Sequence, residues 1–215
     1  MAVSDAPGAR SDQARRPVKH PHLITVGAFA VLAWAAGTLA FVSYWPSLVY
    51  NAVGKAVVQH GVDAASASGI PVNTMYTLPD LASPSASGSA LLATGTNHDT
   101  LYTVGWLDLG AEPQVMHVPD MAGRYYSVEL VDPRDGTVFA YVGRRATGTD
   151  AGDFEISGPD WTGTVPSGAT QVSSPENSVL VVGRVLVESD SDLAAAYDLA
   201  KQIQLAPLDR WQSGR

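Results

Sequence analysis

Residues Asn97–Arg145 read NHDTLYTVGWLDLGAEPQVMHVPDMAGRYYSVELVDPRDGTVFAYVGRR, and the class of the fold follows from them. The stretch holds four short apolar runs, each closed by Gly, Pro or Asp. That punctuation predicts a meander of antiparallel strands near 100–108, 113–118, 124–132 and 137–144, the centre of a mainly β domain. Asp132-Pro133-Arg134-Asp135-Gly136 is the plainest turn, with Gly136 supplying the positive φ that a tight reversal needs.

Downstream, Asp153–Ser157 reads as a short strand, and the Gly/Pro loop Pro159–Ser174 carries another near Thr170–Val172. Ser178–Glu188 (SVLVVGRVLVE) is the strongest strand of the chain, expected at the centre of a sheet and buried on both faces. Ser189-Asp190 can cap a last helix over 191–204, in which Leu193, Ala196, Tyr197, Ala200 and Ile203 share a face and which Pro207 ends. The β domain is therefore expected over 97–208, with 209–215 as a tail. Before it, residues 62–96 are rich in Ala, Ser, Gly and Pro. They predict a loop-rich connector, with turns at Gly69-Ile70-Pro71 and Ser83-Pro84 and a strand at Ala90–Ala93.

The N-terminal quarter has another character. Residues 1–22 lack apolar periodicity and are expected to be a disordered cytoplasmic tail. From Leu23 to Gly54 there is no Asp, Glu, Lys or Arg. Leu23–Val42 as a helix would span ~30 Å, the thickness of a bilayer's hydrocarbon core. Nine of those residues are Leu, Ile, Val or Phe, and their insertion sums to roughly −3 to −5 kcal/mol. Tyr44, Trp45 and Tyr50 follow as an aromatic belt would. The expectation is a single-pass anchor over 23–45 in a plasma or inner membrane, with the N-terminus cytoplasmic and the β domain extracytoplasmic. The rival is a cleaved signal peptide, whose apolar region is usually shorter, ~7–15 residues. Pro46 is expected to open a separate amphipathic juxtamembrane helix over 46–61, its apolar face made of Leu48, Val49, Ala52, Val53, Ala56 and Val57.

Charge and composition exclude several functions. Residues after 22 carry nine basic and nineteen acidic side chains, a surface that repels phosphate backbones and makes nucleic acid an improbable partner. With no cysteine, disulfides, thiolate metal sites and cysteine nucleophiles are impossible. There is no P-loop ending after Arg144-Arg145 and no G-x-S-x-G elbow, and no cofactor or metal is expected.

Several phrases together carry a resemblance. They are Asn97–Tyr102 (NHDTLY), Trp106–Leu109, Val118-Pro119-Asp120, Gly123–Tyr126 (GRYY), Thr147-Gly148-Thr149, Ser174-Pro175, Gly183-Arg184 and Pro207-Leu208. In order and spacing from Pro71 to Leu208, the chain resembles the bacterial domain of unknown function 1254 family. The resemblance implies an antiparallel β-sandwich or jelly-roll domain of the cell envelope with a C-terminal helix. Many members continue into a second β domain, domain of unknown function 1214. This chain resembles the short, anchored form, so a partner chain supplying that second domain is expected, beside the lipid bilayer. No activity comes with the resemblance.

Two clusters offer chemistry. Asn97, Asp99 and Thr100, with His98 between them and Tyr102 beyond, open the first strand. They either bind a ligand or hydrogen-bond the backbone where the strand begins. Arg124, Tyr125 and Tyr126 could line a pocket for an anionic or sugar-like ligand, since arginine offers a fork and tyrosine a face with a hydroxyl. The blander arrangement has one tyrosine in the core, one at the surface, and Arg124 paired with a carboxylate. His117 reads as a structural strand residue. The leading expectation is a binding or assembly module. The alternative is a hydrolase acting on an envelope carbohydrate or phosphorylated ligand, with Asp99, Arg124, Tyr125 and Tyr126 in one cleft completed by the partner.

Overall fold

The computed structural model describes residues 21–81 and 99–213. The chain divides into two compact units, with the boundary between Phe41 and Val42. Asn97, His98 and the strand expected at Ala90–Ala93 lie outside the described residues.

Helix α1 runs from Pro21 to His60. Its first half is exposed and apolar, and it is long and apolar enough to cross a membrane. Thr38 turns its hydroxyl inward, donating to the Trp34 carbonyl 2.8 Å away, so that the helix satisfies its own polar group. The expected break at Pro46 is corrected: Pro46 lies inside the continuous helix. A proline removes one backbone hydrogen bond. Beyond it, Val53 and Val57 pack with Tyr102 and Val104, and Tyr50 and Val58 pack with Trp106, Val131 and Leu180, which holds the following turns in place.

Among the described residues of the second unit, nine strands form two sheets. They are β1 (Met75–Thr77), β2 (Thr100–Asp108), β3 (Gln114–Val118), β4 (Tyr126–Val131), β5 (Val138–Gly143), β6 (Gly152–Ser157), β7 (Ala169–Ser173), β8 (Ser178–Leu186) and β9 (Gln204–Pro207). Sheet A has the order β1-β2-β8-β4-β5 and sheet B the order β7-β6-β3-β9. The four expected strands are present, but they are not a meander. Of them, only β4 and β5 pair as neighbours, around the Asp132–Gly136 turn; β3 joins the other sheet, and β8 inserts between β2 and β4. The expectation of purely antiparallel pairing also needs correction, because β6 and β7 are parallel.

Alternation explains why the two sheets share a core. Leu107, Val128, Leu130, Val142, Val179, Val181 and Val185 of sheet A cluster with Met116, Val118, Phe154 and Ile156 of sheet B. The opposite face of β8 presents Leu180 and Val182 to the helix, then Arg184, which is only partly buried. The described part of the connector, 62–81, is more ordered than its composition suggests. It contributes β1, and Val62, Ile70 and Leu78 pack with Val57, Tyr102 and Val104.

The last helix is shorter than expected. A single 3-10 turn, Asp190–Asp192, leads into α2 (Leu193–Ala200), and Gln204–Pro207 leave it to become edge strand β9 before α3 (Leu208–Ser213). The helical periodicity of 191–204 includes Ile203, yet the strand's hydrogen bonds to β3 win from Gln204 onward. Ser189 makes no side-chain cap bond.

Candidate functional site

A row of polar side chains crosses the outer face of sheet A, starting at Tyr102 beside α1 and running away from the helix. By register Tyr102 of β2 lies opposite Arg184 of β8, Arg184 opposite Ser127 of β4, and Glu129 of β4 opposite Tyr141 of β5. Arg184 Nη1 donates to Glu129 Oε1 at 2.7 Å, and its guanidinium carbon stands 5.5 Å from the centre of the Tyr102 ring. Burial works against the Arg184 charge, but the Tyr102 hydroxyl and Glu129 more than offset it, so its pKa rises. At the end of the row, burial and a hydrogen bond with Tyr125 push the Tyr141 phenol up. The Arg145 guanidinium lies 6.0 Å from the Tyr125 ring centre. The result is a row of three tyrosines, two arginines and one carboxylate along a sheet face. Such a set can offer forked donors, aromatic faces and an acceptor to a polar partner.

The residues singled out in sequence separate here. Tyr102 and Tyr125 belong to this row. Arg124 does not: it forms a two-pronged ion pair with Asp192 and also donates to the Leu186 carbonyl at 2.7 Å, holding the approach to α2. Tyr126 is buried in the shared core, its hydroxyl 3.4 Å from Thr147 Oγ1. Arg124 and Tyr125 precede β4 and diverge there, Arg124 towards α2 and Tyr125 towards Tyr141 and Arg145. Asp99 is exposed and its carbonyl accepts from Val187 N at 2.7 Å, while Thr100 is buried at the start of β2. The cleft expected of a hydrolase, formed by Asp99, Arg124, Tyr125 and Tyr126, is therefore not assembled in this arrangement.

Glu129, Tyr141 and Arg184 were missed in sequence, although a signal was present. Arg184 interrupts SVLVVGRVLVE, the strand expected to be buried on both faces, and Glu129 interrupts YSVELV, giving one charge of each sign in two apolar runs. A charge in such a strand needs a partner, and these two supply each other. His117 is an exposed strand residue with Nδ1 2.8 Å from Asp153 Oδ1, and no group of three or more His, Asp or Glu fit to hold a metal occurs among the described residues.

The family described as "Protein of unknown function (DUF1254)" matches residues 72–207. The chain belongs to the DUF1254 family. Two of the phrases that carry the family likeness, NHDTLY and Gly183-Arg184, meet in space as Tyr102 and Arg184. Among solved structures, the chain is similar to the VPA0106 protein from Vibrio parahaemolyticus, with 26% identity and a TM-score of 0.63 over 81% of this chain. It spans 38% of that protein's chain. A protein from Burkholderia cenocepacia is more distant, at 13% identity and a TM-score of 0.35, covering 54% of this chain and 31% of that one. No curated protein matches the chain.

Proposed function

We propose that this DUF1254 chain is a single-pass, membrane-anchored β-sandwich of the cell envelope that works as a binding and assembly module. The first half of α1 is the anchor, with the N-terminus cytoplasmic and the acidic β domain outside, following the basic residues that precede the span. The sandwich reading is supported by the core that sheets A and B share.

The observation that carries the binding role is the Arg184–Glu129 pair with Tyr102, Tyr125 and Tyr141 beside it. Arg184, Glu129, Tyr125 and Tyr141 are partly exposed, while Tyr102 backs the guanidinium from a buried position. Aromatic and arginine side chains of this kind are enriched where proteins bind each other. The partner in this reading is a second β domain on a separate chain.

A pull-down of the tagged full-length chain from detergent, with co-purifying proteins identified by mass spectrometry, tests the proposal. A second β-domain protein at near-equal amount, lost on Arg184→Ala, is the expected result. A chain that runs alone as a monomer, with or without Arg184, overturns it.

A further inference from the structure

Sheet B contains no lysine or arginine in any of its four strands: QVMHV in β3, GDFEIS in β6, ATQVS in β7 and QLAP in β9. Register places Val115, Glu155, Gln171 and Ala206 in one row across the sheet, and His117, Asp153, Ala169 and Gln204 in the next. This is the face turned away from the shared core, whose side is marked by Met116, Phe154 and Ile156. Glu155 on this face is 0% exposed, and neither of its carboxyl oxygens has a partner in good hydrogen-bond geometry, the Ser157 hydroxyl being the polar group that acts on it.

An ionised carboxylate in that position is closed off from bulk solvent, and no cation is paired with it among the described residues. The charged and titratable groups around it do not help. Asp153, on the same face of the same strand, adds a like charge, and His117 is engaged with Asp153. Gln171 and Gln204 are neutral. The β6–β7 loop brings only Asp160, and α3, which packs against β3 and β9, brings Asp209 and Arg210; all three are exposed. Burial pushes the Glu155 carboxyl up from the usual glutamate range, and the nearby Ser157 hydroxyl only partly opposes this. Burial without a cation thus favours the protonated form of Glu155 over the ionised one.

We propose that the outer face of sheet B is a proton-controlled latch, closed while Glu155 keeps its proton and loosened when that proton leaves. β7 is where it gives way: it is an edge strand, mostly exposed, paired with β6 among the described strands and anchored to the core through Val172. The sign follows from linkage. The opened strand binds its proton with an ordinary glutamate pKa near 4.5, and the closed one holds it more tightly. The closed face is thus fully stable below the ordinary value and weakens as pH rises towards the raised one. The latch couples sheet B to the acidity of the compartment that the domain faces.

Hydrogen–deuterium exchange of the full-length chain in detergent, between pH 4 and 8 and corrected for intrinsic exchange rates, reads the latch directly. Protection in 152–173 should fall with rising pH, by up to about tenfold per unit while one proton is released. Protection in 100–108 and 178–186 should not follow it. Glu155→Gln should flatten the profile, with Glu155→Met as the apolar replacement if the glutamine variant does not fold. His117→Gln should keep the slope. A flat wild-type profile overturns the proposal, as does a slope that survives both Glu155 variants or disappears with His117.

Discussion

Gly54 of α1 lies against the indole of Trp106 on β2, so close that a Cβ added to it would stand 2.5 Å from the ring. The contact seats the second half of α1 on the outer face of sheet A. Trp106 cannot swing aside freely, because Val131 and Leu180 pack around it together with Tyr50 and Val58. Glycine here costs helix propensity, about 1 kcal/mol relative to alanine, and gains close approach.

Gly54→Ala should therefore destabilise the protein against the direction of helix propensity. The expected loss is about 1–3 kcal/mol, the range for overpacking a filled core, seen as a lower urea midpoint for the β domain. An unchanged or higher midpoint would mean that the helix is not seated on Trp106.

Thr77 and Thr103 share a buried hydrogen bond across the β1–β2 pair, with their hydroxyls 3.0 Å apart. Thr103→Val strands the Thr77 hydroxyl away from water and should cost about 1–3 kcal/mol. Replacing both by valine should cost less than the single change, since no orphan remains. Urea denaturation of the three variants measures this, and additive losses would contradict it.

In the outer row, Arg184 and Glu129 are each about a quarter to a third exposed in their side chains, at 32% and 24%. Arg184→Met leaves Glu129 unpaired at a partly covered site, and a loss of about 1–2 kcal/mol is expected after allowing for solvent screening. Adding Glu129→Leu should recover part of that loss. A double-mutant cycle with no coupling would show that the pair is only a surface contact.

Acid should act on α2 in the opposite sense to the Glu155 latch. The Arg124 guanidinium, followed by the Glu188 backbone N–H, brings Asp192 down from 3.8 to about 2. A depressed carboxyl stabilises the fold above its ordinary pKa and loses that contribution as pH falls through the depressed one. Amide protection in α2 should decline between pH 3.8 and about 2. Asp192→Asn should abolish that acid step and reduce protection already at neutral pH, as hydrogen exchange of residues 193–200 will show.

The strands were legible from local chemistry, because alternation and turn residues act within a few positions of one another. Strand partners were not. Nothing in residues 100–118 says that β2 takes β8 and β3 takes β6, since a pairing is a contact between residues far apart in sequence. The same limit applies to the row on sheet A. Tyr102 and Tyr125 stood out as polar aromatics, but Arg184 was embedded in an apolar run and Glu129 in another, and neither is informative until the strands lie side by side. Arg124 failed as a ligand residue for the converse reason: its carboxylate partner, Asp192, is 68 positions away.

The sequence by itself determined the apolar length of α1, the β character of the domain, the Asp132–Gly136 turn and the family. The first three rest on composition or on spacing over about twenty residues or fewer, where propensity and periodicity operate, and the family rests on short phrases kept in order from Pro71 to Leu208. Tertiary structure alone settled the passage of α1 through Pro46, the conversion of Gln204–Pro207 from helix to strand, the assembly of the Tyr102–Arg184–Glu129 row and the burial of Glu155. In each of these, the free energy of packing and pairing between distant segments outweighs a local preference of about 1–3 kcal/mol.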